Sequence, residues 1–330
     1  MLRGATTAAM QNLKAYFAVE IPAVEEILHQ ETAGLAPIVR PVAQHVLQAG
    51  GKRLRPMLCI LVARAAGSSA NVYPLAAALE LLHSATLLHD DILDNAALRR
   101  GRPAAHVTFG TTETILAGDV LLALANKLVA SYGIPALMTS VSEAIMQTAT
   151  GEIQEVARLG DQKITREEYF EIITGKTAYL LRSATECGAI LAGGGEEMTR
   201  AAARYGLNLG IAFQLVDDAL DYSASSSVSG KPLGGDLREG KFTLPLLLYL
   251  ESLKPGERDA FVQSIAAQDL TDDQISAILS AMKAQECAER TRAEAQKYLE
   301  RSRAALEHLP QGLERDHLEL VLEYVRTREK

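Results

Sequence analysis

The sequence predicts an all-α fold, and three observations carry that expectation. Segments 75–95, 113–131, 135–158, 178–192, 198–222 and 241–252 place apolar residues at helical spacing and lack the alternation of a strand. Breakers are sparse, with 11 prolines and 24 glycines in 330 residues. No β-rich block and no fixed-period repeat interrupts the pattern. Aromatic residues are only 5% and tryptophan is absent, so the core is built from Leu, Ala, Ile and Val.

Taken in order, the first 20 residues lack the continuous apolar core of a secretory signal. Gly50-Gly51 precedes a helix start in GGKRLRP. Segment 75–95, LAAALELLHSATLLHDDILDN, is apolar nearly all round, as a buried central helix is. Gly101 to Pro103 is expected to end it, and Gly193-Gly194-Gly195 to separate two later helices. Ser223 to Gly230 reads as a Ser-rich loop that Pro232, Gly234 and Gly235 extend. From 257 to 328 apolar and charged residues alternate at helical spacing, which reads as an exposed helical periphery. No linker is evident, so one domain is expected over 1–330, a large helical bundle.

Composition excludes several classes of function. The 33 basic and 41 acidic residues leave a net charge of −8, which argues against nucleic acid as a partner. Three separated cysteines without a CxxC argue against a disulfide scaffold or a cysteine zinc site, and fit a reducing cytoplasm. The most apolar stretch, 115–130, is broken by Asp119 and Lys127, so no integral membrane segment is expected.

Two acidic strings carry the most chemistry. Asp90, Asp91 and Asp94 lie in LLHDDILDN, and Asp217, Asp218 and Asp221 lie in FQLVDDALDY. Both read DDxxD behind an apolar run. Residues four apart share a helix face about 5.4 Å apart along the axis. Two unit charges at 4 Å interact by about 4 kcal/mol at an effective dielectric of 20, so such a cluster calls for cations. Oxygen donors without Cys or His suit magnesium, which completes its shell with water and phosphate.

Short basic clusters answer the acidic ones. GGKRLRP offers Lys52, Arg53 and Arg55 at a helix start, and RRGRP offers Arg99, Arg100 and Arg102 one or two helical turns after the first acidic cluster. Lys176-Thr177 in TGKTAYL, Lys231 in SGKPLGGD and Lys241 in REGKFTLP follow. TGKT lacks the upstream glycine and strand of a phosphate-binding P-loop. Arginine forks and lysine point charges both bind diphosphate oxygens.

These strings, in this order from about residue 50 to 245, resemble the trans-type polyprenyl diphosphate synthases. The resemblance implies the all-α isoprenoid synthase fold around a deep central cavity, a homodimer, and three magnesium ions per active site. It implies head-to-tail condensation of isopentenyl diphosphate onto an allylic diphosphate. By motif, Asp90, Asp94 and Asp217 hold metal, and Asp91, Asp218 and Asp221 assist. Arg99, Lys176, Lys231 and Lys241 face the allylic diphosphate with Thr177 and Gln214 nearby. Lys52, Arg55, His83 and Arg100 face isopentenyl diphosphate. The Ser-rich string SASSSVSG departs from the family pattern and puts loop closure over the diphosphate in question.

Product length is read from the helix before Asp90. In the family an aromatic five positions earlier forms a floor that stops growth; here that residue is Ala85, with Leu82, Leu81 and Ala78 beyond it. The expectation is an open tunnel and a long-chain, octaprenyl-like product for a quinone side chain. Met146 is the alternative floor. Other readings stay open: a short-chain farnesyl or geranylgeranyl synthase, a regulatory subunit, a terpene cyclase or head-to-head synthase, or a metal-binding helical protein.

Overall fold

The computed structural model describes residues 2–161, 163–223, 233–266 and 270–328. Helices account for nearly all of the regular structure. They are α1 (Leu2–Ala33), α2 (Arg40–Gln48), α3 (Leu54–Ala65), α4 (Tyr73–Leu93), α5 (Ala105–Phe109), α6 (Thr111–Ala130) and α7 (Pro135–Ala157). Then come α8 (Arg166–Ile173), a π-turn (Thr174–Ala178), α9 (Tyr179–Leu191), α10 (Gly195–Ser223) and α11 (Gly235–Glu239). The series closes with α12 (Leu244–Ser252), α13 (Pro255–Ala266), α14 (Asp272–Ala284), α15 (Cys287–Leu306) and α16 (Leu313–Arg326).

Local chemistry sets many of these starts. Prolines occupy the first turn of α2, α4 and α12, where a missing N–H costs nothing. Thr165 with Glu168, and Thr271 with Gln274, form reciprocal capping boxes at α8 and α14. No described helix is long and apolar enough to cross a membrane.

The chain falls into two compact units. The first comprises Met1–Ile145, Ser183–Ala203 and His308–Leu320. Its centre is α4, buried from Leu75 to Asp91 apart from scattered partly exposed positions, and packed on α6, α3 and α1. Each of its fully buried leucines contributes roughly 2 kcal/mol. Two acids, Glu80 and Asp91, are buried in this apolar helix. The second unit comprises Met146–Arg182, Arg204–Glu307 and Val321–Lys330, with α12 packed on α15 and α8. The three cysteines are free and buried, and burial pushes the Cys187 thiol up to about 11.

Two expectations need correction. The central helix ends at Leu93, well before Gly101, because RRGRP forms a hairpin: β1 (Leu98–Arg99) pairs antiparallel with β2 (Arg102–Pro103). Arg100 and Gly101 make its two-residue turn, both at positive φ (52° and 76°), as the twist of a hairpin demands. The region after 257 is not merely peripheral. Val321, Leu322 and Val325 of α16 and Leu299 of α15 are 0–2% exposed, so these helices bury a full face.

Candidate active site

In the first unit, Asp90 and Asp94 lie on the last turn of α4, and Asp94 is its C-cap. Asp91, rotated about 100° from Asp90, points inward and is 3% exposed. Its Oδ1 accepts a hydrogen bond from Arg99 Nε (2.7 Å) and lies 2.5 Å from Arg99 Nη2 in an ion pair. The hairpin therefore returns Arg99 to the motif eight residues upstream.

A basic cluster gathers in the same unit. Arg55, His83 and Arg100 lie near enough to repel one another electrostatically. Burial lowers Arg55 to about 10 although Glu80 and Asp90 oppose the change, and burial with Arg55, Arg100 and Arg99 holds His83 well below the ordinary imidazole value. Gly51 suits this loop, since its φ of 154° is one that residues with a Cβ rarely adopt, and its open face lies against the Arg100 guanidinium. Lys52, three residues before Arg55 in the chain, is exposed.

Arg53 is not a free cation for a ligand. Its Nε donates to Glu25 (2.6 Å), its Nη1 to buried Glu80 (2.5 Å), and its Nη2 to the Leu47 carbonyl (2.8 Å). Sequence reasoning grouped it with Lys52 and Arg55; the visible warning was Glu80, a lone acid in an apolar run. Arg102 sits on the hairpin, at 3.5 Å from the Gln48 carbonyl.

In the second unit, the second motif lies near the C-terminal end of α10. Asp217 is exposed and pairs with Arg328 (2.7 Å), whose guanidinium lies 4.6 Å from the Phe213 ring centroid. Asp218 is 5% exposed; it accepts from the Tyr169 hydroxyl and from Gln214 Nε2 (2.8 Å). Thr177 Oγ1 donates to Gln214 Oε1 (2.8 Å), so Thr177, Gln214, Asp218 and Tyr169 form one chain. Asp221 accepts from the Gly235 and Asp236 N–H groups (3.1 and 2.9 Å) and thus caps α11.

Lys176 is carried by the π-turn, a helical irregularity that recurs at functional sites. Backbone contact with α7 sets its place: a Cβ on Gly175 would lie 2.8 Å from the Gln147 carbonyl oxygen, and one on Gly151 only 2.4 Å from Lys176 N. This approach presents Glu152 and Glu155 of α7 to Lys176 Nζ at 2.9 and 2.5 Å. Burial works against the lysine charge, but the two carboxylates outweigh it and raise its pKa above the ordinary value. Lys241 pairs with Glu239 at 2.9 Å.

A cavity of about 130 Å³ collects Lys176, Thr177, Gln214, Asp218, Asp236 and Lys241. Burial raises Asp218 to about 7; Tyr169 and Gln214 oppose the rise, while Asp217 and Glu155 add to it. Burial also raises Asp236, reinforced by Asp218 and Asp221 against Lys241. Among the described residues no three His, Cys, Asp or Glu side chains converge into a closed metal cage. The donors are hard carboxylate oxygens crowded by like charge, a set that fits magnesium finished by water and phosphate oxygens.

Within the first unit Arg99 meets Asp91, and Arg55, His83 and Arg100 lie together; within the second, Lys176, Thr177, Gln214, Asp218 and Lys241 line one cavity. Lys231 lies outside the described residues, with most of the Ser-rich segment. Ala85 and Leu82 are buried on α4 at 2% and 1% exposure, whereas Met146 is 55% exposed on α7. Sequence reasoning missed Tyr169, Glu152, Glu155 and Arg328. Each acts through a contact distant in the chain and carries no local signature.

Residues 36–282 match the family model for polyprenyl synthetase. The chain is 36% identical over 299 residues to the octaprenyl diphosphate synthase of Escherichia coli, covering 87% of this chain and 92% of that protein. It is 36% identical over 312 residues to the all-trans-nonaprenyl-diphosphate synthase (geranyl-diphosphate specific) of Rhodobacter capsulatus, covering 93% and 94%. Its fold matches the crystal structure of a polyprenyl synthase from Caulobacter crescentus, complexed with calcium and isoprenyl diphosphate, with a TM-score of 0.91, 35% identity and coverage of 97% and 98%. With its all-α fold and both acidic motifs inside the matched span, the chain belongs to the polyprenyl synthetase family.

Proposed function

We propose that this trans-prenyltransferase condenses isopentenyl diphosphate head-to-tail onto an allylic diphosphate and repeats the step to a long-chain all-trans polyprenyl diphosphate. One observation carries the reading: each DDxxD motif is accompanied, within its own unit, by cationic side chains suited to diphosphate. The long-chain products named for the relatives and the small, buried Ala85 support the product length. The presence of both motifs and GGKRLRP weighs against a regulatory subunit or a cyclase.

Asp90, Asp94 and Asp217 would hold magnesium, three ions per site, whose Lewis acidity stabilises charge on the departing diphosphate. Lys176, Lys241, Lys231 and Arg99 bind the allylic diphosphate, with Thr177 and Gln214 orienting the second motif. Lys52, Arg55, His83 and Arg100 bind isopentenyl diphosphate. Asp91 and Asp218 keep their motifs fixed through Arg99 and Tyr169, and Asp221 through α11. Preorganised cations of this kind lower the barrier to ionisation, because charge develops where donors already point. Apolar walls keep water from the resulting allylic cation. Released diphosphate accepts the final proton.

The whole chain acts as one synthase domain, as a homodimer in the cytoplasm, and its product serves a quinone side chain. Exposed Ile115 and Leu116 on α6, and Met146, Ile153 and Val156 on α7, offer apolar surface to a second copy. Incubation with isopentenyl and farnesyl diphosphates plus magnesium, followed by product sizing, tests the reading. Elongation past geranylgeranyl diphosphate is expected; no elongation refutes the function, and a stop at that length refutes the long-chain product. Ala85→Phe should shorten the product, since a ring fills tunnel volume. An unchanged length distribution would remove Ala85 from that role.

A further inference from the structure

We propose that the buried Arg53–Glu80 ion pair positions the isopentenyl diphosphate pocket, by holding Arg53 in a left-handed backbone conformation that places Lys52 before it and Arg55 after it. The inference rests on the assignment of Lys52, Arg55, His83 and Arg100 to that substrate.

Arg53 is the N-cap of α3 with φ 48° and ψ 36°. An L-residue other than glycine pays strain there, of the kind found where surrounding structure over-determines the backbone. Three bonds over-determine Arg53: Glu25 from α1, the Leu47 carbonyl in the last turn of α2, and Glu80 from the middle of α4. Arg53 and Glu80 are 6% and 4% exposed. Each guanidinium nitrogen has an acceptor, so the side chain is spent on holding and not on binding.

The partner is placed to transmit that hold. Glu80 lies three residues before His83, hence on the same face of α4. The same buried carboxylate acts electrostatically on both Arg55 and Arg100. Enclosed polar atoms without a protein partner, Arg55 Nε, His83 Nδ1 and Glu80 Oε2, cluster in this group. A second residue of the cluster at positive φ, Arg100 (52°) in the hairpin turn, lies against Gly51, two residues before Arg53. A buried ion pair is a poor device for stability alone, because apolar replacements are often neutral or better. Its coincidence with backbone strain beside a cationic pocket points to placement of that pocket.

The test compares Arg53→Met with the double variant Arg53→Met/Glu80→Leu. The single change strands a buried carboxylate and should lower the melting temperature; the apolar pair should restore it to near wild type. In the restored pair the KM for isopentenyl diphosphate should still be raised at least tenfold, with kcat and the allylic KM within threefold of wild type. Calorimetric titration with isopentenyl diphosphate alone should show the same loss of affinity. A restored pair with unchanged or tighter isopentenyl diphosphate binding would overturn the proposal and leave the pair a purely structural one. The wild type separates this from the functional reading: binding of isopentenyl diphosphate without turnover would sink the reaction, whereas turnover with unaltered affinity in the pair sinks the positioning role. A wild type that does not bind isopentenyl diphosphate overturns both.

Discussion

Asp91 and Asp218 hold the same place in two identical DDxxD motifs, and each turns into the protein while its neighbour, Asp90 or Asp217, stays nearer the surface. Helix geometry accounts for the likeness, since one residue of advance rotates a side chain by about 100°. The partners differ. Asp91 meets a cation, Arg99, delivered by the hairpin. Asp218 meets two neutral donors, Tyr169 and Gln214, with Asp217 and Glu155 as nearby negative charges. One motif carries its own counter-charge at the buried position; the other leaves that carboxylate dependent on hydrogen bonds. The same three aspartates at the same spacing therefore define a shape, and their surroundings decide what meets the buried carboxylate.

The largest expected effect falls on the outward carboxylates. Asp90→Ala and Asp217→Ala should each reduce turnover by about a hundredfold or more, the scale of a lost electrostatic stabiliser. Steady-state rates at saturating magnesium check this. Near-normal turnover in one variant alone would show that only the other motif takes part in the reaction.

A smaller effect distinguishes the inward carboxylates. Arg99→Ala leaves Asp91 buried without its cation and should cost about 3 kcal/mol of stability. Tyr169→Phe removes one neutral donor from Asp218 and should cost about 1–2 kcal/mol. Urea unfolding measures both. Equal losses would mean that the ionic and the neutral environments hold their carboxylates alike, and would break the contrast.

What could be read in the sequence follows from the same geometry. Both acidic motifs were legible because four consecutive turns of apolar residues and the i, i+4 spacing are contiguous in one helix. Ala85 and Leu82 were legible as buried for the same reason. The hairpin was not, because two-residue strands are too short to show a period, and RRGRP instead looked like the breaker that ends the central helix. Arg53 was misread since nothing in GGKRLRP marks position 53 as left-handed; only Glu80, placed on another helix, reveals its partner. Tyr169 reaches Asp218 from 49 residues away. Arg328 belongs to a charged C-terminal stretch that reads as solvated surface, yet it meets Asp217. Local pattern thus supplied the two acidic motifs, and tertiary pairing supplied the contacts that hold them in place.

The finest test of the contrast is the pH dependence of stability. A carboxyl at about 7 in the folded chain and about 4 in the unfolded chain binds its proton more tightly when folded. Between those values the folded state carries more protons, so stability falls as pH rises, and the loss is complete above about 7. Asp236 is raised in the same direction and adds to the slope, while His83, lowered in the folded chain, opposes it. Comparison with Asp218→Asn cancels what the two proteins share. In chelator-treated protein, urea midpoints from pH 5 to 8 should fall more steeply for wild type than for Asp218→Asn. The asparagine variant should therefore gain relative stability toward pH 8, where the wild-type carboxylate is ionised among like charges. Parallel pH curves would show that Asp218 is not held in a protonated state by its surroundings, and the electrical difference between the two motifs would disappear with it.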